Sequence, residues 1–189
     1  MGVPPTTATT VRPSAARGML SRVAAWAALG WLAALIFSPL LDTYRKVLRS
    51  HREEYAQAPA GFLVNLGIAS LALSLFALGI ALIDGSKVRR AGAVLLLIGG
   101  LTAAVLTIFP SAGASGSPLG LGPVAAAFGT ILISARLRRD PIRTSRFGLA
   151  IGFASMLPIL VVAVILAPES IEGITARALQ ADLGAWILG

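Results

Sequence analysis

The segment FGLAIGFASMLPILVVAVILA, residues 147–167, contains no charged side chain and no histidine in its 21 residues. As an α-helix it would be about 32 Å long, enough to cross a hydrocarbon core of about 30 Å. Because lipid offers no hydrogen-bond partners to backbone amides and carbonyls, helix is the structure that such a segment adopts in a membrane. The segment is therefore predicted to be a transmembrane span.

Four further segments have the same character. Each is 17 to 25 residues long and free of charge, and they cover 23–41, 59–83, 91–109 and 119–135. A last apolar segment, 174–189, is shorter than the roughly 20 residues that a span needs. We predict an all-α, polytopic transmembrane helical bundle with these five spans and a sixth at 174–189. Five spans plus an interfacial helix is the alternative.

The composition excludes several classes of protein. Apolar residues make up 56% of the chain and charged residues 13%, which leaves too little polar surface for a soluble protein with five apolar helices. The net charge is +8, but the basic residues lie at the ends of the spans instead of being interleaved with aromatics on one surface. Nucleic-acid binding is therefore not expected. The absence of cysteine excludes disulfides and thiolate chemistry.

The distribution of basic residues predicts the orientation. Of the 16 lysines and arginines, 11 fall in the N-terminal segment and in the loops after the second and fourth spans. The positive-inside rule places that side in the cytoplasm. Residues 1–22 are predicted to be a disordered cytoplasmic tail, and residues 23–189 the transmembrane domain. The abundance of arginine, alanine, leucine and glycine is typical of a GC-rich genome, and we expect a bacterial cytoplasmic membrane.

Few polar residues lie within the predicted spans. Asn65, Ser70 and Ser74 belong to the second span, and Asp182 lies in the last segment. Such groups usually form hydrogen bonds between helices, although they can also line a polar path across the membrane. Because intramembrane ionisable residues are so scarce here, a proton-coupled pump is disfavoured.

The longest predicted outward loop, 43–58, supplies a second candidate site. Its aromatic and aliphatic residues recur at helical spacing from Tyr44 onward, which predicts an interfacial helix or a lid over a cleft. His51 is the one histidine of the chain, and Asp42 and Glu54 are the acids that could accompany it. No P-loop, HExxH or GxSxG motif occurs, so neither a metal nor a cofactor is predicted.

Small residues at a spacing of four predict close helix packing. Gly148 and Gly152 form a GxxxG pattern, and Ala125 with Gly129 repeats the spacing of small residues. Such pairs allow the backbones of two helices to approach closely. Pro158, inside a predicted span, is expected to kink its helix.

Several short stretches occur in an order that resembles a known family: Gly61-Phe62-Leu63-Val64-Asn65-Leu66-Gly67, Arg90-Ala91-Gly92 with Gly99-Gly100, Phe109-Pro110, and Gly173 with Arg177. The family is the prokaryotic membrane family catalogued as domain of unknown function 998. The resemblance runs from about residue 23 to the end and implies a helical architecture without a mechanism. The family often has an acid after the Phe-Pro step and a histidine opening the fourth span, where this chain has Ser111-Ala112 and Gly122-Pro123.

These patterns favour a non-enzymatic protein that binds membrane lipid or a partner, which would be another membrane protein or a second copy of the chain. A small-solute or lipid transporter is the first alternative, with a polar cavity around Asn65, Ser70, Ser74 and Asp182. The second alternative is a membrane-embedded enzyme that modifies lipid, with His51 as its base.

Overall fold

The computed structural model describes residues 15–41, 61–109, 121–166 and 172–189. The described residues form seven helices and no strand, so the all-α prediction is confirmed for them. The helices are α1 (Ala15–Leu41), α2 (Gly61–Leu82), α3 (Lys87–Ile108), α4 (Gly122–Leu137), α5 (Pro141–Arg146), α6 (Gly148–Leu166) and α7 (Glu172–Leu188).

Four of these helices, α1, α2, α3 and α6, are long and apolar enough to cross a membrane. Helix α4 is apolar but has 16 residues, and α7 has 17 residues and is less apolar. The structure thus supports a multi-pass membrane protein with four candidate spans, and the predicted spans 119–135 and 174–189 are not confirmed. The difference arises because a helix must supply both length and hydropathy to span a bilayer.

Large apolar side chains cover the outer surface of the bundle. Trp26 on α1 and both Leu149 and Ile159 on α6 are more than 70% exposed. A soluble protein rarely exposes so much contiguous apolar surface. This outer surface therefore agrees with contact to lipid chains.

The helix boundaries differ from prediction mainly at the first helix. Helix α1 begins at Ala15, so residues 15–22, which were assigned to the disordered tail, are helical. Alanine, methionine and leucine in this segment favour helix. The Arg17 guanidinium also contacts the carboxylate of Asp84, at the end of α2, at 2.6 Å. This contact fixes the start of α1 to the turn between α2 and α3.

The six longer helices close into a ring in the order α1, α2, α3, α4, α6 and α7, with α7 returning to α1. The contacts run in antiparallel order between α1 and α2, where Gly67 meets Trp31 and Ser74 bonds Ala24, and between α3 and α4. Helix α7 also contacts α4 and, to a smaller extent, α2. It therefore contacts other helices in addition to α6 and α1, its two neighbours in the ring. The most deeply buried large side chains are Leu75, Leu96, Leu157, Leu179 and Leu183.

Helices α3 and α4 cross closely at glycines. A Cβ atom added at Gly92 would lie 2.8 Å from the carbonyl oxygen of Gly129, and one added at Gly129 would lie 2.7 Å from the carbonyl oxygen of Gly92. Ala125, four residues before Gly129, is half-buried. Gly129 thus takes part in a close crossing of two helices.

The GxxxG pattern of α6 has different surroundings. A Cβ atom added at Gly148 or Gly152 would meet nothing within 4 Å, and both residues are exposed. The packing role predicted for these two glycines is therefore not seen within the bundle. Spacing alone identifies a smooth helix face, whereas the rotation of the helix decides whether that face meets another helix or the surroundings.

Candidate functional site

One end of the bundle, which we call the basic end, concentrates positive charge. It comprises the start of α1, the turn between α2 and α3, and the segment from the end of α4 to the start of α6. Ten lysines and arginines lie there against two aspartates, counted over the described residues. They are Arg17, Arg22, Lys87, Arg89, Arg90, Arg136, Arg138, Arg139, Arg143 and Arg146, with Asp84 and Asp140.

Helix α5 shapes the basic end because local bonds fix where it begins. The carboxylate of Asp140 caps the helix by accepting hydrogen bonds from the backbone amides of Ile142 (3.1 Å) and Arg143 (3.4 Å). Pro141 follows the cap, where its missing amide hydrogen has no cost. The hydroxyl of Thr144 donates back to the carbonyl of Asp140 at 3.0 Å. The segment therefore has a defined conformation although it was predicted to be a loop.

Arg138 attaches this segment to α6. Its guanidinium donates hydrogen bonds to the carbonyl of Ile151 at 3.2 Å and to the hydroxyl of Ser155. These bonds hold the end of α4 against the first turns of α6. Arg138 thus has a structural role, which separates it from the other arginines of the segment.

A cleft of about 310 Å³ opens beside α5, and we call it the arginine cleft. Its lining residues are Arg136, Arg139, Asp140, Pro141 and Arg143. The three arginines are exposed, so their guanidinium groups are accessible from the surroundings. The one carboxylate in the lining already caps α5 and contacts the Arg143 guanidinium at 3.3 Å. The cleft therefore carries a net positive charge.

Arg89, at the start of α3, adds to this positive charge. It is half-buried and close enough to Arg143 and Arg17 to experience repulsion from both. The charge of Arg17 is offset by Asp84, whereas Arg89 forms no ion pair in the part of the chain that the structure describes. An anion bound near Arg143 would relieve this repulsion. Guanidinium groups bind phosphate and carboxylate through paired hydrogen bonds, so these are the anions that the arrangement suits.

The predicted intramembrane polar residues do not form one connected site. The Ser74 hydroxyl is buried and donates to the carbonyl of Ala24 on α1 at 2.9 Å, whereas the Ser70 hydroxyl donates to a carbonyl of its own helix. Asn65 is half-buried on α2, and Asp182 is buried on α7. Within the described residues, no hydrogen bond joins Asp182 to the other three. Ser74 thus links two helices.

The second predicted site, at the outer interface, comprises Asp42, Tyr44, His51 and Glu54, and all four lie outside the described residues. Over the described ranges, no group of three or more histidines and acids is placed to hold a metal ion. The described part of the chain therefore contains two candidate sites, the arginine cleft and the buried Asp182.

The sequence contained a signal for the cleft that the prediction did not use. The arginines of the fourth loop were counted for orientation and were not treated as a site. The dipeptide Asp140-Pro141, however, is typical of a helix start, with a capping carboxylate followed by proline in the first turn. A helix predicted at this point would have indicated that the chain turns back and brings Arg143 toward Arg139.

The chain matches no protein-family model, no curated protein and no solved structure. The resemblance to the family of unknown function 998 therefore stays a prediction. The function has to be argued from the chemistry of the two sites.

Proposed function

We propose that the protein is a non-enzymatic, multi-pass protein of a bacterial cytoplasmic membrane whose arginine cleft binds the phosphate of anionic lipid head groups. The observation that carries the proposal is the cleft itself, in which Arg136, Arg139 and Arg143 converge on one space with a single, already occupied carboxylate. Guanidinium groups recognise phosphate bidentately, and phosphate is the anion shared by all anionic phospholipids.

The position of the cleft supports lipid as the ligand. The cleft lies where α4 ends and α6 begins, and helix ends of membrane proteins lie at the depth of the head groups. With the basic end in the cytoplasm, as the positive-inside rule proposes, the arginines face the anionic leaflet. Each basic residue near such a surface contributes about 1 kcal/mol of attraction.

The two shorter helices fit a six-span arrangement under the same proposal. Helix α4 has 16 residues and α7 has 17, lengths of about 24 Å and about 26 Å. A helix shorter than the hydrocarbon core is accommodated by local thinning of the bilayer and by long basic side chains that extend to the head groups. Arg136, in the last turn of α4, is placed for this role.

Native mass spectrometry of the full chain released from nanodiscs tests the proposal. The nanodiscs would contain phosphatidylcholine with either phosphatidylglycerol or additional phosphatidylcholine. The wild-type protein is expected to retain phosphatidylglycerol at a defined stoichiometry. The triple variant Arg136→Gln, Arg139→Gln, Arg143→Gln should lose most of it, since three contributions of about 1 kcal/mol correspond to roughly a hundredfold in affinity.

A matched variant distinguishes a site from general charge. Arg45→Gln, Arg49→Gln and Arg52→Gln remove the same three charges from the predicted outer loop. Retention of phosphatidylglycerol by this control, with loss in the cleft variant, supports a specific site. Equal losses in both variants, or equal retention, would contradict it.

Transport is the second candidate function, and it is favoured by Asp182, an ionisable residue buried in a membrane bundle. Uptake into proteoliposomes is the corresponding measurement. If Asn65→Ala and Ser74→Ala abolish uptake of a solute while expression is intact, transport replaces lipid binding as the principal role.

A further inference from the structure

Asp182 is the most deeply buried acidic side chain that the structure describes. It is 8% exposed, and its Oδ2 atom is buried without a hydrogen-bond partner. By contrast, Asp84 and Asp140 lie at the basic end and have ion-pair partners. An isolated carboxylate in a buried site costs several kcal/mol. A ligand that removes or balances the charge of the Asp182 carboxyl group would remove this cost.

The side chain points into the bundle. Leu179, Leu183 and Trp186, which share its face of α7, are all buried. This face packs against α1, α4 and α6. Asp182 thus lies between helices instead of extending along a lipid-facing surface, where an acidic side chain could reach the head groups.

The two indole donors near Asp182 are already bonded to other acceptors. The indole N–H of Trp186, one turn further along α7, donates to the hydroxyl oxygen of Ser134 on α4 at 2.8 Å. The indole N–H of Trp31 on α1 donates to the carbonyl of Gln180 at 3.2 Å. Neither donor is therefore available to stabilise a negative charge on Asp182.

Helix α6 contains a proline at about this depth. Gly189 lies against Ala150, because a Cβ atom there would be 2.7 Å from the Ala150 backbone nitrogen. The two helices are antiparallel. Asp182 lies seven residues before Gly189 on α7, and Pro158 lies eight residues after Ala150 on α6, so the two residues lie at a similar depth. Proline has no amide hydrogen, and the carbonyl of Ala154 consequently lacks its helical donor.

No basic side chain of a neighbouring helix lies at the depth of Asp182 in the described ranges. Helices α2 and α6 contain no titratable residue. The titratable residues on the remaining packed helices and on α7 itself are Arg17, Arg22, Arg136, Glu172 and Arg177. Arg22 lies nine residues before Trp31, about 13 Å along α1, and Arg136 lies beyond Ser134 toward the basic end. Arg177 is on α7, five residues before Asp182, about 7 Å along the axis.

We propose that Asp182 is a proton-binding site inside the bundle. A proton removes the charge without requiring additional volume, and it gives the carboxyl group an O–H donor. Loss of this proton to water would leave a carboxylate between apolar helices and weaken the packing of α7. The site is independent of the arginine cleft, so either proposal can fail without the other.

Infrared difference spectroscopy tests the protonation state directly. The full chain would be reconstituted in uncharged phosphatidylcholine nanodiscs and measured from about pH 5 to about pH 9, a range in which ordinary carboxyl groups are ionised. At about pH 5 the wild-type protein is expected to show a carboxylic-acid C=O band that Asp182→Asn lacks. Asp84→Asn and Asp140→Asn are matched controls and should retain it. Identical spectra of wild type and Asp182→Asn at about pH 5 would overturn the proposal.

A second measurement addresses folding and the identity of the ligand. Ionisation would charge the buried group, so the Tm of the wild type should fall by about 5 °C or more as the pH rises, whereas that of Asp182→Asn should not. Asp182→Glu, which keeps an ionisable group, should retain the pH dependence. If addition of NaCl at a constant pH of about 5 removes the band, the site binds a metal cation in place of a proton, and the proposal is wrong.

Discussion

The α3–α4 crossing and the surface of α7 hold the same bundle together by different means. At the crossing, Gly92 and Gly129 bring two backbones so close that a single methyl group at either position would lie within 3 Å of a carbonyl oxygen. On α7, by contrast, large side chains fill the space, and Trp186 donates a hydrogen bond to Ser134 on α4. The first contact depends on the absence of side chains, and the second on specific polar groups.

This difference indicates where the bundle is rigid and where it can respond. Backbones in direct contact have little freedom to adjust, because any displacement of one helix opens a gap or creates an overlap. The α7 surface contains an acidic group whose charge can change, and its neighbours are joined by individual hydrogen bonds. We therefore expect α7 to be the helix whose packing depends on conditions.

The largest effect is expected from Gly129→Ala. The added methyl group would lie 2.7 Å from the Gly92 carbonyl oxygen, and backbone cannot move away as a flexible side chain can. A loss of about 2 kcal/mol in the free energy of unfolding is expected. Unfolding in mixed detergent micelles, followed by circular dichroism, would measure it.

Gly152→Ala is the matched control, since its methyl group would meet nothing within 4 Å. It should leave stability unchanged or raise it by up to about 1 kcal/mol through helix propensity. Equal destabilisation by the two substitutions would show that the α3–α4 crossing is not specially close.

A smaller effect is expected at the α7 surface from Trp186→Phe. The substitution keeps an aromatic ring and removes the indole N–H that donates a hydrogen bond to the Ser134 hydroxyl, for a loss of about 1 kcal/mol. Trp26→Phe provides the control, because Trp26 is 74% exposed on α1. If both tryptophan substitutions have the same effect in the unfolding assay, the hydrogen bond between α4 and α7 does not contribute to stability.

The smallest effect concerns two serines of α2. Ser74→Ala removes a buried hydrogen bond to α1 and is expected to cost about 0.6 kcal/mol, the average for such bonds between membrane helices. Ser70→Ala removes a bond within α2, which the helix does not need, and should cost less. The ratio of the two losses, from the same unfolding measurement, shows whether side-chain hydrogen bonds between helices matter outside α7. Equal losses would show that the hydrogen bond between α2 and α1 stabilises the protein no more than the bond within α2.

Much of the helical architecture followed from the sequence. The predicted segments 59–83 and 147–167 differ from α2 and α6 by no more than two residues at either end. Long, uncharged apolar segments have one structural solution in lipid, which makes this prediction straightforward. Helix α5 was missed because a six-residue helix has no periodic pattern, and its start is marked only by Asp140 and Pro141.

The candidate sites were less predictable, because each depends on how helices are rotated. Gly129 and Gly152 belong to equivalent patterns, yet one meets a backbone and the other meets nothing. Asp182 was identified as an unusual residue, but the sequence did not indicate that its oxygen would be buried without a donor.

The sequence by itself determined that the chain is a bundle of apolar helices with its positive charge gathered on one side, because hydropathy and charge are local properties of each segment. Only the tertiary structure decided which helices meet in the ring and that Arg143 turns back beside Arg136 and Arg139. It also decided which polar groups find partners. These outcomes depend on the relative rotation and depth of helices far apart in the chain, and packing fixes both only when all the helices are assembled.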